Sequence, residues 1–387
     1  MKKIRILVLE VNNAGVGKFR FTDPHIALQS NHKEDFLIDI MQNPPLHEKD
    51  FASNYDAIVG QGTLVMNDSV FSLLENLKKD GMKIILDLDD YWRLPPSHAL
   101  YKKLEDQWKT LTSRLKIADL ITTTTLTLAK EIVKYNKNVT IISNAINPEE
   151  EQFTPKPIES ERTRIGWIGG SSHLEDLKLL SGMVNKLYSN NKKDVQMVMA
   201  GFNNLVRNSD TGEITESKRP KVWMECELIF TNRYMLHDND YTHYLLNPRQ
   251  EEYPNIENQF YRRIWTKPIQ NYADSYNYID VALAPLKDIH FNTMKSQLKL
   301  IEAGFHKKPL IASKISPYEI DGIHGKNCFL VEEKKSHKDF YDFAKKLLRN
   351  PQMRIDMGEA LYETVKDKYD INNVSKKRAQ AYKSIFK

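Results

Sequence analysis

The sequence predicts an α/β protein of two successive doubly wound parallel sheets in a chain of 387 residues. Short apolar runs alternate with stretches of helical period through the first half. A polar segment from Asn147 to Ser160, with three prolines and four acidic residues, interrupts that alternation, which restarts at Arg164. Short strands that are apolar on both faces and separated by helices need a sheet covered on both sides, and that is the parallel arrangement.

In chain order, strands are expected at Ile4 to Val11, Phe36 to Ile40, Ala57 to Gly60, Lys83 to Asp87, Leu120 to Thr123 and Val139 to Ile142. Between them, Asp68 to Lys79 and Ala99 to Ala118 carry the helical period, and Asp23-Pro24 offers a cap and first turn for a helix after Arg20. After the linker, RIGWIGGSS leads into a helix from about Leu174, and further strands fall at Val195 to Ala200, Val281 to Ala284, Pro309 to Ala312 and Cys328 to Val331. The stretch 202–263 is too long for a plain connection and is expected to be an insertion with structure of its own. Its eight Lys/Arg against ten Asp/Glu argue against a phosphate-tracking surface. From Ser336 the chain reads as helical to Lys387. The expected domains are 1–155, 156–370 and a terminal helix over 371–387.

Composition narrows the class. With 41% hydrophobic and 28% charged residues the chain is of soluble globular type, which excludes disorder and coiled coil. A net charge of +5 announces no nucleic-acid partner and excludes none. Two distant cysteines, Cys226 and Cys328, exclude a disulfide scaffold and a zinc site. The opening MKKIRILVLEV imitates a leader, but Arg5 and Glu10 interrupt it and no cleavage site follows, so it reads as a buried first strand. No window is long enough for a membrane span, and a cytoplasmic location is expected.

Chemistry gathers between Ile279 and Ala312. The apolar run stops at Pro285, and Asn292 or Thr293 offers an N-cap for a helix carrying two stripes. Met294, Leu298, Ile301 and Phe305 form the packing stripe, whereas Lys295, Lys299, Glu302 and His306 repeat the spacing on another face. Two ammonium groups near a helix start make a diphosphate seat, and a carboxylate one turn on can accept vicinal hydroxyls. The plain alternative is a solvated charged stripe. Two glycine turns follow strands: Gly15 and Gly17, with Lys18 and Arg20 behind them, and Gly169 and Gly170, with Ser171 and His173. Each can bring backbone close to a phosphate or be only a turn, and there is no Walker motif. The first lacks the third glycine of the dinucleotide fingerprint, and Asp39, where such an enzyme reads ribose, lies inside its strand. Asp89 and Asp90, after the strand ending at Asp87, are candidates for sugar contact or proton transfer, with His98 close behind. No metal site is assigned to them.

RIGWIGGSSHLEDL, IDVALAPL, FNTMKSQLKLIEAG with KPLIAS, and GKNCFLV together resemble the carboxyl-terminal half of GT-B glycosyltransferases of the family-four-like group. The resemblance covers Arg164 to Val331 apart from the insertion. It implies two Rossmann-like domains facing a cleft, with a final helix returning to the first domain. In that family the second glutamate of a spaced pair binds the nucleotide ribose, and Glu302 matches it; Met294 stands where the first should be. The family's diphosphate-holding Arg and Lys are not evident in GWIGGSSH, so Lys295 and Lys299 are the substitutes. The Lys295-Ser296-x-x-Lys299 pattern is similar to glycosyltransferases of large bacteriophages and of cell-envelope clusters.

The resemblance implies a retaining, metal-independent hexosyl- or pentosyltransferase using a UDP- or GDP-linked sugar, with no tightly bound cofactor. Its donor site would comprise Gly15, Gly17, Lys18, Arg20, Gly169, Gly170, Ser171, His173, Asn292, Lys295, Ser296, Lys299 and Glu302. If the reaction inverts, Asp89, Asp90 or His98 is the candidate base. The acceptor would be a glycan, a glycoconjugate or, for a phage protein in its host's cytoplasm, a hydroxymethylated DNA base. The alternatives are an inactive nucleotide- or carbohydrate-binding protein of the same shape and a nicotinamide-dependent oxidoreductase.

Overall fold

The computed structural model describes residues 2–10, 15–96, 101–207, 213–231 and 237–387, which form two compact units. The first unit is made of residues 1–148, 289–298 and 367–387, and the second of 149–288 and 299–366. Among the described residues no helix is long and apolar enough to cross a membrane.

The first unit holds strands β1 (Ile4–Leu9), β2 (Phe36–Met41), β3 (Ala57–Gln61), β4 (Lys83–Leu88), β5 (Leu120–Thr123) and β6 (Val139–Ile141). They pair in parallel in the order β2-β1-β3-β4-β5-β6. Residues such as Leu7, Ile58, Ile84 and Ile121 point to one face, and Ile6, Val8, Val59 and Ile85 to the other, so both faces are buried. One face is covered by helices Asp68–Lys79 and Tyr101–Arg114 through Leu74, Leu77, Trp108 and Leu111. The other is covered by Asp23–Asn31 and by the terminal helix Ile371–Ser384, whose Val374, Ala379 and Tyr382 share a core with β1.

The second unit holds β7 (Thr163–Ile168), β8 (Val195–Phe202), a hairpin of β9 (Leu205–Arg207) and β10 (Ile214–Glu216), and then β11 (Tyr261–Trp265), β12 (Val281–Ala284), β13 (Leu310–Ser313) and β14 (Cys328–Val331). Its main sheet is parallel, in the order β11-β8-β7-β12-β13-β14. Without the hairpin this is the 3-2-1-4-5-6 order of a dinucleotide-binding sheet. The expected insertion over 202–263 is therefore corrected. Its end supplies the third strand of the sheet, and its helices Lys221–Thr231 and Asp240–Leu246 put Trp223, Phe230, Tyr241 and Leu245 into the common core. A buried ion pair ties it in: Arg263 on β11 donates through Nε and Nη2 to the two oxygens of Glu227, each at 2.6 Å. The run after Ser336 is helical as expected, in the pieces Ser336–Arg349, Pro351–Val365 and Ile371–Ser384. Cys226 and Cys328 are free and buried.

The first unit is organised by another sealed pair. Arg20, only 1% exposed, lies on a π-type helical turn, Gly17–Thr22, and donates to Asp87 at the end of β4 through Nε at 2.9 Å and Nη2 at 2.7 Å. Its Nη1 reaches the carbonyl of Ile142 at 2.7 Å and Asn144 Oδ1 at 3.1 Å, while Thr122 on β5 donates to Asp87 at 2.5 Å. Breaking such a pair leaves a desolvated charge alone, which costs about 3–5 kcal/mol. Asp87→Ala should therefore lower stability in chemical denaturation by about that much. The uncharged double variant Arg20→Met/Asp87→Leu should recover most of the loss. A change below about 1 kcal/mol in the single variant would show that the pair does not hold this unit together.

Candidate functional site

In an open parallel sheet, ligands bind outside the carboxyl ends of the strands where the order reverses. In the second unit that point lies between β7 and β12, and the loops after these strands flank it. After β7 the chain runs through Gly169 and Gly170 into a single 3-10 turn, Ser171–His173, and a one-turn helix, Leu174–Leu177. The helix expected from about Leu174 does start there, but it is broken after one turn by the 3-10 stretch Lys178–Leu180 before running on over Ser181–Asn191. Gly201 has φ +108°, and a Cβ there would stand 2.2 Å from the carbonyl oxygen of Gly169, so the ends of β7 and β8 meet backbone to backbone. The loop after β12 is tied to the same place: Asp176 accepts the Lys287 N–H at 2.8 Å and a bond from His173 Nδ1 at 2.8 Å.

Lys299 and Glu302 occupy helix Leu298–Phe305, which follows β12. Lys299 Nζ donates to Glu302 Oε2 at 2.9 Å, and Tyr276 donates to the same oxygen at 3.0 Å. Tyr272 donates to Oε1. Both phenols sit on the 3-10 stretch Tyr272–Tyr278, and burial, with Glu302 beside them, pushes their pKa well above 10, so they remain donors. His306 stacks on Tyr276 with centroids 4.7 Å apart; burial first, then Lys308, lowers its pKa to about 3 and keeps it neutral. The side chain of Glu302 is 1% exposed and that of Lys299 is 29% exposed. The carboxylate therefore has no surface open to a ribose in this arrangement, and the group it presents is the ammonium. Tyr272, Tyr276 and Asp176 were not among the expected site residues; the spacing of Tyr272 and Tyr276 just before β12 was the available signal.

The single two-stripe helix from Met294 to His306 is not formed. His290–Thr293 makes one turn, 294–297 is non-helical, and the second helix starts at Leu298. Buried tertiary partners compete for the missing turn: Gln297, 2% exposed, donates to Tyr369 at 2.6 Å, and Ser296 Oγ accepts from Asn144 at 3.0 Å. Met294 is buried in the core of the first unit, with Leu88 and Tyr91. Asn292 is buried and Lys295 lies over the Phe291 ring at 4.9 Å. Asn292, Lys295 and Ser296 thus belong to the first unit and Lys299 and Glu302 to the second, so the two lysines do not form one stripe.

The other expected donor residues lie in the first unit. Gly15 opens the first helix, Gly17 is buried in the π-type turn, and Lys18 pairs with Asp23 at 2.6 Å. With Arg20 committed to Asp87, the two cations read as a crevice charge are each matched by a carboxylate. Asp39 accepts from Tyr55 at 2.9 Å within β2. Asp89 and Asp90 follow β4; Asp89 is partly buried and Asp90 exposed. His98 lies outside the described residues.

Desolvation first, then Asp90 and Asp87, raises the Asp89 carboxyl to about 7. A carboxyl raised in the folded state contributes stability that is present below its unfolded value near 4 and lost as pH rises through about 7. Asp89→Asn cannot ionise. Its stability relative to wild type should improve between pH 4 and pH 8 by up to about 4 kcal/mol, read as melting temperature against pH. A difference that stays flat over that range would contradict the raised carboxyl.

No family model and no curated relative matches the sequence. Solved structures match it over nearly its whole length. HepE of Anabaena, in complex with UDP and glucose, has a TM-score of 0.63 at 12% identity, covering 98% of this chain and 100% of its own. A glycosyltransferase from Rickettsia africae has 0.63 at 13% identity, covering 100% of both chains. Sucrose-phosphate synthase from Thermosynechococcus elongatus has 0.65 at 12% identity, covering 100% of this chain and 99% of its own. At such identities the likeness is one of fold: the chain has the α/β GT-B class of fold, with two parallel six-stranded sheets.

Proposed function

We propose that this chain transfers a sugar from a nucleoside diphosphate sugar to a hydroxyl of a glycan or glycoconjugate, with the donor diphosphate held in the second unit. The observation that carries the reading is Lys299: a part-exposed ammonium in the first turn of its helix, gripped from behind by Glu302, which the buried Tyr276 and the part-buried Tyr272 hold in turn. Free N–H groups at that helix start favour the same anion. Support comes from the fold shared with HepE, whose complexes contain UDP and UDP-glucose.

As the bond from the sugar to the diphosphate breaks, negative charge grows on the leaving oxygen, and a preorganised ammonium stabilises it without reorganising. The reading takes that charge stabilisation from Lys299 and the Gly169-Gly170 backbone and needs no metal. In a retaining course the leaving phosphate accepts the acceptor proton on the same face. In an inverting course Asp89, with its carboxyl near 7, is the base. Reading Glu302 as the ribose contact requires Tyr272 to leave Oε1 when the nucleotide arrives.

Lys299→Ala should weaken UDP binding by about ten-fold or more in calorimetry, the worth of one charge-assisted hydrogen bond. Glu302→Gln should give a smaller loss by loosening Lys299. Unchanged affinity in both overturns the donor site. UDP binding with neither transfer nor donor hydrolysis across a panel of UDP- and GDP-sugars would leave the chain a nucleotide-binding module.

A further inference from the structure

At the amino edge of the second unit's sheet, opposite the strand ends that flank the candidate donor site, three cations share one carboxylate. Arg164 lies in β7, Asp280 just before β12, Lys308 just before β13, and Arg354 in the helix Pro351–Val365. The strand starts are joined side by side: Asp280 N–H donates to the Arg164 carbonyl at 2.8 Å and Ala282 N–H to that of Pro309 at 2.9 Å. Asp280 is spent on Arg164, accepting its backbone N–H at 2.7 Å, its Nε at 3.2 Å and its Nη2 at 3.1 Å. The nearby Glu257 is taken by Arg262 at 2.6 Å, and Glu159 and Glu161 are exposed on the linker.

Two donors are left over. Arg164 is 1% exposed, and its Nη1 is sealed from water without a hydrogen-bond partner among the described residues. Lys308 is 8% exposed, and among the described residues its side chain has no hydrogen-bond or ion-pair partner. A buried cation without a partner is costly, and a lysine can answer by giving up its proton. Burial lowers the Lys308 amine below the ordinary lysine value; Asp280 opposes that shift and Arg164 adds to it. The deprotonated amine is a nucleophile, and what the cluster lacks is one anionic acceptor. Burial bars bulky electrophiles from the amine but not carbon dioxide. A cavity of about 700 Å³ opens onto Arg164 and Asp280 from the linker side, which gives a dissolved gas a path.

We propose that Lys308 is a carbamylation site, where the amine takes up carbon dioxide and the resulting carbamate pairs with Arg164. The Nζ lone pair forms the new N–C bond, one C–O π pair moves onto oxygen, and one Nζ proton leaves to water. Nothing is oxidised or reduced. An ammonium is thereby exchanged for an anion, so that Arg164 and Arg354 face Asp280 and the carbamate, two charges of each sign. A carbamate oxygen is the acceptor that Nη1 lacks. This inference does not depend on the transferase reading.

The test uses the full chain in carbon-labelled bicarbonate, read by carbon NMR, with the adduct fixed by an O-alkylating oxonium salt and mapped by peptide mass spectrometry. A carbamate resonance separate from bicarbonate should appear, and the fixed adduct should map to Lys308. In Lys308→Met the resonance should be lost. That variant removes an unmatched charge and should fold, which its melting temperature checks; the mapping on wild type needs no variant. Bicarbonate should also raise the melting temperature of wild type over chloride at equal ionic strength, and not that of Lys308→Met. No carbamate resonance, one that persists in Lys308→Met, or an adduct that maps only to other amines such as the α-amino group overturns the proposal.

Discussion

Arg20 and Asp87 are opposite charges taken fully out of water, and the first unit is arranged around making that tolerable. Desolvating both is costly, and the cost is offset only when each remaining donor and acceptor is matched. The matching draws in the π-type turn, β4, Thr122 of β5, the carbonyl of Ile142 past β6 and Asn144. Asn144 in turn holds Ser296, which helps to keep residues 294–297 out of a helix. The same pair sets the electrostatics of its neighbour. Burial raises the Asp89 carboxyl first, and Asp90 and Asp87 add to it as like charges against the weaker opposing pull of Arg20, so it rises where an exposed aspartate would stay acidic.

The second unit solves a related problem with phenols. Glu302 is as buried as Asp87, but its partners are two neutral tyrosines and one lysine that reaches the surface. A carboxylate satisfied from three sides can orient a cation without being reachable itself. The pair Glu227 and Arg263 does structural work in the same unit by locking the β8 to β11 connection onto the sheet edge. Buried charge thus serves two ends here: closure of the sheet at one site and presentation of an ammonium at the other.

The strands and their parallel pairing were legible because a two-face-buried strand has to be short and apolar; Leu120–Thr123 and Cys328–Val331 fall where the sequence puts them. Two features were hidden for physical reasons. Residues 202–263 looked foreign because their polar surface outweighs a core contribution made by scattered residues such as Trp223 and Phe230, and because β11 carries a buried arginine, Arg263, whose partner Glu227 lies 36 residues earlier in the chain. The break at 294–297 was invisible because the local period is helical and the competing partners, Asn144 and Tyr369, are remote in sequence. At the site, Lys299 and Glu302 could be picked out from spacing. The burial of Glu302 and the pairing of Lys18 and Arg20 are tertiary facts that spacing does not contain.

The first unit is assembled from three stretches of chain, the last of them the terminal helix Ile371–Ser384. During synthesis, β1 to β6 leave the ribosome long before Val374, Ala379 and Tyr382, which complete the core against β1. The second unit has all its strands by Val331 and its last covering helix by Val365. The half of the protein that begins first is therefore the half that finishes last, and its exposed apolar sheet face is the one a nascent chain must shield in the meantime.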